Sequence, residues 1–383
     1  MKGGDDMQRT IRVKLNPTSK QAETLFETMK QHTECFNTVA KIGYEHQEKN
    51  GVRLHQETYY DLRKQYPALP SQLIITARMR ATESVKSALA REKKGLRASC
   101  PRADLVPIRY DNRSYGIKNG VVGFATIAGR QKMSFELHPH AESIWKKVIG
   151  IDSADLIYRK SKFWLHVAVT LPDVEFQLSG RVVGVDMGLR RPAVTSQNQF
   201  LGERRWEEID NRYFRLKRSL QAKGTCSAKR HLKKLAGKVN SFRRDCDHVL
   251  SRRIIDSVEP GTVIAIEDLT NIRKRKGRGR QFKRALHSWS FAQLRSFLEY
   301  KAEEKGCKVE VIDPRYTSQS CSKCGYTHKS NRPSQSLFKC KSCGFELNAD
   351  LNASRNIAQK YLAGGGKSAT SGSLSTSLSC QAI

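Results

Sequence analysis

Three carboxylates sit in contexts where a chain seldom leaves one unaccompanied. Asp186 lies in an apolar run, Val182-Val183-Gly184-Val185-Asp186-Met187-Gly188, and Glu267 ends a second, Thr262-Val263-Ile264-Ala265-Ile266-Glu267. Asp350 opens a helical stretch, Asp350-Leu351-Asn352-Ala353-Ser354-Arg355-Asn356-Ile357. A carboxylate at the end of a buried strand is costly to desolvate without a cation or a hydrogen-bonded partner. Three of them converging would hold magnesium or manganese, hard ions that prefer oxygen ligands. With two ions such a set can run in-line phosphodiester cleavage, one ion at the attacking oxygen and one at the leaving oxygen. Singly, each acid has a plainer reading, Asp186 as a strand-end residue and Glu267-Asp268 as a turn cap. Asp268 rivals Glu267, but alternation turns the two to opposite faces and Glu267 directly ends the apolar run.

The cysteines carry a second chemistry. Cys321-Ser322-Lys323-Cys324-Gly325 is followed by Cys340-Lys341-Ser342-Cys343-Gly344, two CxxC knuckles that match a four-thiolate structural zinc ribbon. All four tetrahedral positions would be filled, so that zinc has no position open for catalysis. One CxxC would leave a redox pair open; two argue against it. His328 reads as a surface residue rather than a ligand, and Cys35, Cys100, Cys226, Cys246, Cys307 and Cys380 as having no metal role. This usage fits a reducing compartment.

Charge names the class of partner. Across 383 residues, 69 Lys+Arg against 37 Asp+Glu leave a net charge of +32, which calls for a polyanion. The loop after Glu267 concentrates it in Arg273, Lys274, Arg275, Lys276 and their neighbours, placed to screen phosphate repulsion and guide a strand inward. Trp289, Phe291 and Phe297 beyond it have the spacing of helix core. No apolar run approaches the roughly 20 residues of a membrane span. Met1-Lys2-Gly3-Gly4-Asp5-Asp6 has no apolar signal segment, so a cytoplasmic, nucleoid-associated location is expected.

The elements that must position these residues follow from periodicity. Residues 8–16 alternate as a strand, and Pro17-Thr18-Ser19 starts an amphipathic helix over 19–48. A second helical stretch covers 70–95, and from 105 to 178 the period switches to two, as in a small β-barrel that strand 9–15 would join. The expected domains are a β-barrel from 1–16 and 96–180, a helical insertion at 17–95, a nuclease-like α/β domain from 181–317 and 347–362, and a zinc ribbon at 318–346. The Gly/Ser/Thr-rich tail 363–383 reads as disordered. Within the α/β domain, three short strands lead to a basic helical pair at 205–257 broken near Lys223-Gly224-Thr225. The Glu267 strand, a helix near 286–305, a strand at 307–312 and a closing helix complete it. That order, with acids on the first strand, the fourth strand and the last helix, is the order of an RNase H-like fold.

The contexts of the three acids, together with Thr317-Ser318-Gln319-Ser320-Cys321-Ser322-Lys323-Cys324-Gly325 and Leu15-Asn16-Pro17-Thr18-Ser19-Lys20-Gln21, resemble the TnpB family encoded by insertion sequences. The resemblance runs to about residue 362 and is shared with compact type V CRISPR effectors. It implies an RNA-guided DNA endonuclease whose RuvC-type domain cuts with Asp186, Glu267 and Asp350. A β-barrel wedge domain and an inserted recognition domain would hold a guide RNA derived from the transposon end. Guide pairing supplies sequence specificity, while the protein reads backbone, shape and a short motif beside a double-stranded DNA target. Motif matching implies nucleic-acid contacts near His55, Gln72 and Thr76 and at Tyr110 to Asn112, with Arg78 on the same helix as Gln72. The implied cofactors are Mg2+ (or Mn2+) and Zn2+, and the implied assembly is a monomer in a ribonucleoprotein. Besides a compact type V CRISPR effector, three other readings are open. A guided repressor would have lost an acid. A transposase usually orders its acids Asp, Asp, Glu. A plain zinc-ribbon binder leaves the buried acids unexplained.

Overall fold

A computed structural model describes residues 7–118, 120–189, 191–270, 272, 279, 284, 286 and 290–365. The chain divides into two compact units, Met1–Asp173 and Val174–Ile383.

The first unit begins with β1 (Met7–Leu15), whose alternation buries Ile11, Val13 and Leu15. Helices α1 (Ser19–Glu45), α2 (Gly51–Gln65) and α3 (Ser71–Lys93) follow. A capping box starts α1: the Thr18 hydroxyl accepts from the Gln21 amide, and the Gln21 side chain accepts from the Thr18 amide. Then come β2 (Ile108–Tyr110), β3 (Tyr115–Lys118), β4 (Val121–Thr126), β5 (Gly129–Glu136), α4 (Pro139–Trp145), β6 (Gly150–Arg159) and β7 (Lys162–Leu171). The seven strands run β2-β6-β7-β1-β5-β4-β3, so β1 pairs with β7 and β5 and the helices form an excursion between β1 and β2. The two edge strands are consecutive, joined only by Asp111–Ser114, which brings the sheet's ends within a few residues' reach. The sequence reading differs from this in its helices: the one expected over 19–48 ends at Glu45, and a separate α2 follows it.

The second unit opens with β8 (Val182–Asp186), β9 (Ala193–Thr195) and β10 (Phe200–Leu201). A helical hairpin, α5 (Arg204–Lys223) and α6 (Cys226–Asp256), turns at Gly224 with a left-handed φ of 63°. Then follow β11 (Val263–Glu267), α7 (Phe291–Glu304), β12 (Lys308–Ile312), the hairpin β13 (Leu337–Lys339) and β14 (Glu346–Asn348), and α8 (Ala349–Lys360). The main sheet runs β10-β9-β8-β11-β12, with β8, β11 and β12 parallel and β9 antiparallel to β8. Val183, Val185, Ile264 and Ile266 pack on one face against Leu250 and Ile254 of α6 and Leu294 and Leu298 of α7. The other face carries Gly184 and Ala265 and is covered by α8 through Ser354, Ile357 and Ala358. Among the described residues, no helix is long and apolar enough to cross a membrane. The basic stretch 273–276 and residues 366–383 of the expected disordered tail lie outside the described residues.

Candidate metal and nucleic-acid site

Parallel pairing sets the first two acids side by side. The register Val263↔Val182 through Ile266↔Val185 carries Glu267 to the level of Asp186, on strands about 4.8 Å apart. Asp186 shares a sheet face with Gly184 two residues back, the face on which α8 lies. That approach needs glycine. A Cβ at position 184 would stand 2.6 Å from the Ala358 amide nitrogen and closer still to the Ser354 carbonyl oxygen. With α8 against the backbone of β8, Asp350, one turn before Ser354, reaches the same end of the sheet. Asn348 starts α8 by accepting from the amides of Asp350 (3.0 Å) and Leu351 (3.2 Å), and an acid in a helix's first turn is favoured by its dipole.

The acids share one electrostatic environment. Burial pushes the Asp186 carboxyl well above the usual carboxylate range, and the charges of Glu267 and Asp350 push it the same way while Arg332 opposes them. A cleft of about 420 Å³ is lined by Asp186, Glu267, Asp268, Asp313, Thr317 and Arg332 among others. The buried Thr317 hydroxyl donates to Glu267 Oε1. Arg332 donates through Nη2 to Asp350 Oδ1 at 3.0 Å and to the Gln335 carbonyl at 2.8 Å. Asp268 also lines the cleft, but its Oδ1 accepts from the Thr270 amide (3.1 Å) and hydroxyl, as in a turn cap. Carboxylate oxygens are the donors a hard divalent cation prefers, and its charge would relieve the buried Asp186 carboxyl.

The four cysteines meet as the spacing requires. Their sulfurs all lie within 4.8 Å of one another, with Cys321 Sγ to Cys343 Sγ at 3.8 Å and Cys324 Sγ to Cys340 Sγ at 3.6 Å. Zinc–sulfur bonds of about 2.3 Å in a tetrahedron put sulfurs about 3.8 Å apart, so the set fits zinc. Each knuckle turns on a left-handed glycine, Gly325 (φ 77°) and Gly344 (φ 70°). The Cys343 amide donating to Cys340 Sγ lowers that thiol to about 6, toward the thiolate a metal binds. His328 takes no part; it is exposed and its Nδ1 accepts from the Ser330 amide.

Asparagines tie the ribbon to the cleft. The buried Asn356 donates to the carbonyls of Thr317 (2.8 Å) and Ser320 (2.6 Å), and Asn352 donates to Ser320 O at 2.8 Å and accepts from the Ser322 amide. Helix α8 thus holds both Asp350 and the segment that leads from Thr317 into the first knuckle. Sequence reasoning missed Arg332, Thr317 and Asp313. Thr317 had a signal in its place just before the first knuckle; Arg332, in a polar stretch between knuckles, had none.

The positions expected to touch nucleic acid in the first unit divide. His55 stacks on Tyr59 at 4.5 Å, Gln72 donates to Asp111 Oδ2 at 2.7 Å, and Asn112 is exposed in the β2–β3 turn. Arg78 is partly buried, its guanidinium against Gly51. Two are corrected. Thr76 is buried with its hydroxyl donating to the Leu73 carbonyl, and Tyr110 is fully buried with its hydroxyl donating to Ala125 O, because both face the core between α3 and the sheet.

With this geometry in view, residues 291–357 match the family model described as "Cas12f1-like, TNB domain". The chain is 46% identical over 129 residues to the CRISPR-associated endodeoxyribonuclease Cas12f1 of Sulfoacidibacillus thermotolerans, covering 33% of this chain and 29% of that protein. It is 38% identical over 141 residues to the TnpB-like protein aq_aa05 of Aquifex aeolicus, covering 34% of this chain and 46% of that one. The resemblance to TnpB therefore holds in named relatives, and the chain spans less than half the length of these two. Its fold is similar to that of a chain in a cryo-EM structure of a Cas12f1–sgRNA–target DNA complex. That match has a TM-score of 0.62 at 16% identity, over 89% of this chain and 83% of that one.

Proposed function

We propose that the protein is an RNA-guided DNA endonuclease of the TnpB type, with a RuvC-type, RNase H-like catalytic domain. What supports the reading is that Glu267 and Asp350 bear electrostatically on Asp186, from two parallel strand ends and a helix start, beside a cleft that Asp186 and Glu267 line. The sheet order, with β8 central between β9 and β11, supports the RNase H-like assignment. Asp186, Glu267 and Asp350 would hold Mg2+ (or Mn2+), which when bound supplies positive charge to the attacking and leaving oxygens of a phosphodiester. The chain's own residues hold that set in place. Thr317 orients Glu267 through its hydroxyl, Arg332 fixes Asp350, and the close contact of α8 with β8 sets the spacing of the third acid from the first two. The four cysteines would hold Zn2+ as a structural ion, keeping the Thr317–Cys321 segment folded beside the cleft. The net charge of +32 supports partners that are nucleic acids, here a guide RNA from the transposon end and a double-stranded target DNA.

The test is to express the protein with its flanking locus and sequence the RNA that copurifies. A defined RNA ending in a variable guide, with magnesium-dependent cleavage of DNA matching that guide, is expected. Random cellular RNA, with cleavage indifferent to guide sequence, would refute the guided reading.

A further inference from the structure

The α5–α6 hairpin is pinned at its root and bare beyond it. Arg253 pairs with Glu203 at 2.8 Å and Arg243 with Asp210 at 2.5 Å. From Asn211 to Phe242 the chain carries ten Lys and Arg and no acidic residue, and all ten are exposed. None of the ten enters an ion pair among the described residues. Arg230, Lys234 and Lys238 recur every four residues, so they form a single stripe on α6. Like charges at that spacing weaken a helix, and no acidic side chain among the described residues pairs with them here. Ser227, Arg230, His231, Lys233 and Lys234 line a shallow cleft of about 320 Å³ on the same turns.

Of the rings on this arm, the His231 imidazole is exposed and the larger rings are engaged. Tyr213 and Phe242 pack edge to face at 5.9 Å, and Phe214 lies under the Arg284 guanidinium at 3.8 Å. The arm therefore offers mainly charge, with one imidazole and no row of stacking rings, which suits the phosphates of a duplex better than the bases of a single strand. Its root lies on the sheet face of Val183 and Val185, whereas Asp186 shares the α8 face with Gly184. A nucleic acid on the arm is thus anchored through the sheet face opposite the one Asp186 shares with α8. We propose that the tip of the α5–α6 hairpin is an arm that grips the phosphates of a double-helical segment of the bound RNA. This rests on the RNA-guided reading above, in which RNA is the component held throughout.

The experiment compares the protein, expressed with its flanking locus, with a variant carrying Arg230→Gln, Lys234→Gln and Lys238→Gln. A charge-keeping control carries Arg230→Lys, Lys234→Arg and Lys238→Arg. Double-strand-specific ribonuclease maps the protected RNA, and salt titration gives the slope of log affinity against log salt. The Gln variant should lose protection of one helical RNA segment and lower the slope by roughly two to three units, with the control like wild type. Unchanged protection and slope in the Gln variant would overturn the arm while leaving the guided reading intact. Intact RNA protection with weakened target-DNA binding would overturn it in favour of DNA. Wild-type protein without a defined RNA would sink both readings together.

Discussion

Replacing Gly184 by alanine tests how the third acid is brought to the first two. The added Cβ would stand 2.6 Å from the Ala358 nitrogen and 3.2 Å from the Ala358 Cβ, with the Ser354 carbonyl nearer still. Two of these neighbours are backbone, so no rotamer change relieves them. To restore van der Waals separation α8 must retreat by roughly 1 Å. Overpacking of this kind costs about 1–3 kcal/mol. The same shift carries Asp350 and its Arg332 partner away from Asp186, and misplacement by about 1 Å can cost on the order of 100-fold in rate. The assay is magnesium-dependent cleavage of guide-matched DNA, with thermal unfolding measured on the same preparations. Gly237→Ala in α6 is the control, since no atom lies within 4 Å of its added Cβ; it should be neutral or gain up to about 1 kcal/mol. Gly184→Ala with wild-type melting and cleavage would show that α8 does not set the acid geometry.

Three further substitutions probe different supports. Thr317→Val, which removes the hydroxyl on Glu267, should raise the magnesium concentration for half-maximal cleavage several-fold, and Thr317→Ser should restore it; equal loss in both would point to packing alone. Cys321→Ser should lower zinc content, measured by atomic absorption, and destabilise the unit by several kcal/mol; full zinc content would remove that cysteine from the ligands. Lys301 is buried, donates to His248 O (2.8 Å) and Ser251 Oγ (2.7 Å), and burial lowers its ammonium to about 8. The unfolded chain therefore holds this proton more tightly, its value being about 10.4, and the charge burdens the fold below pH 8. Stability should rise between about pH 8 and 10.4, by up to about 3 kcal/mol, relative to a Lys301→Met variant lacking that rise; parallel pH profiles would contradict the assignment.

The parts of the site legible in the sequence were those whose local pattern also dictates their tertiary place. An acid at the end of an apolar run must lie at a strand end, and parallel pairing then levels Glu267 with Asp186. Two CxxC knuckles with glycines dictate the turns that gather four sulfurs. Arg332 was not legible because its partner, Asp350, is reached only through the fold of the ribbon and α8. Helix α2 escaped because it buries only Leu54, Thr58 and Leu62, a narrow stripe in a polar stretch. Strand β6 breaks its own alternation with a register shift between Ile151 and Ala154. Thr76 and Tyr110 follow from position in a motif, which carries no information about which way a side chain faces, and both are buried.

Cleavage of DNA matching the copurified guide, by wild-type protein and by Asp186→Asn, with binding of the same DNA measured in parallel, tests the central claim most directly. The account predicts magnesium-dependent cutting by wild type, and guided binding without detectable cutting by the variant, because Asn cannot serve as the anionic ligand at the crowded strand end. An Asp186→Asn protein that cuts at the wild-type rate would contradict it.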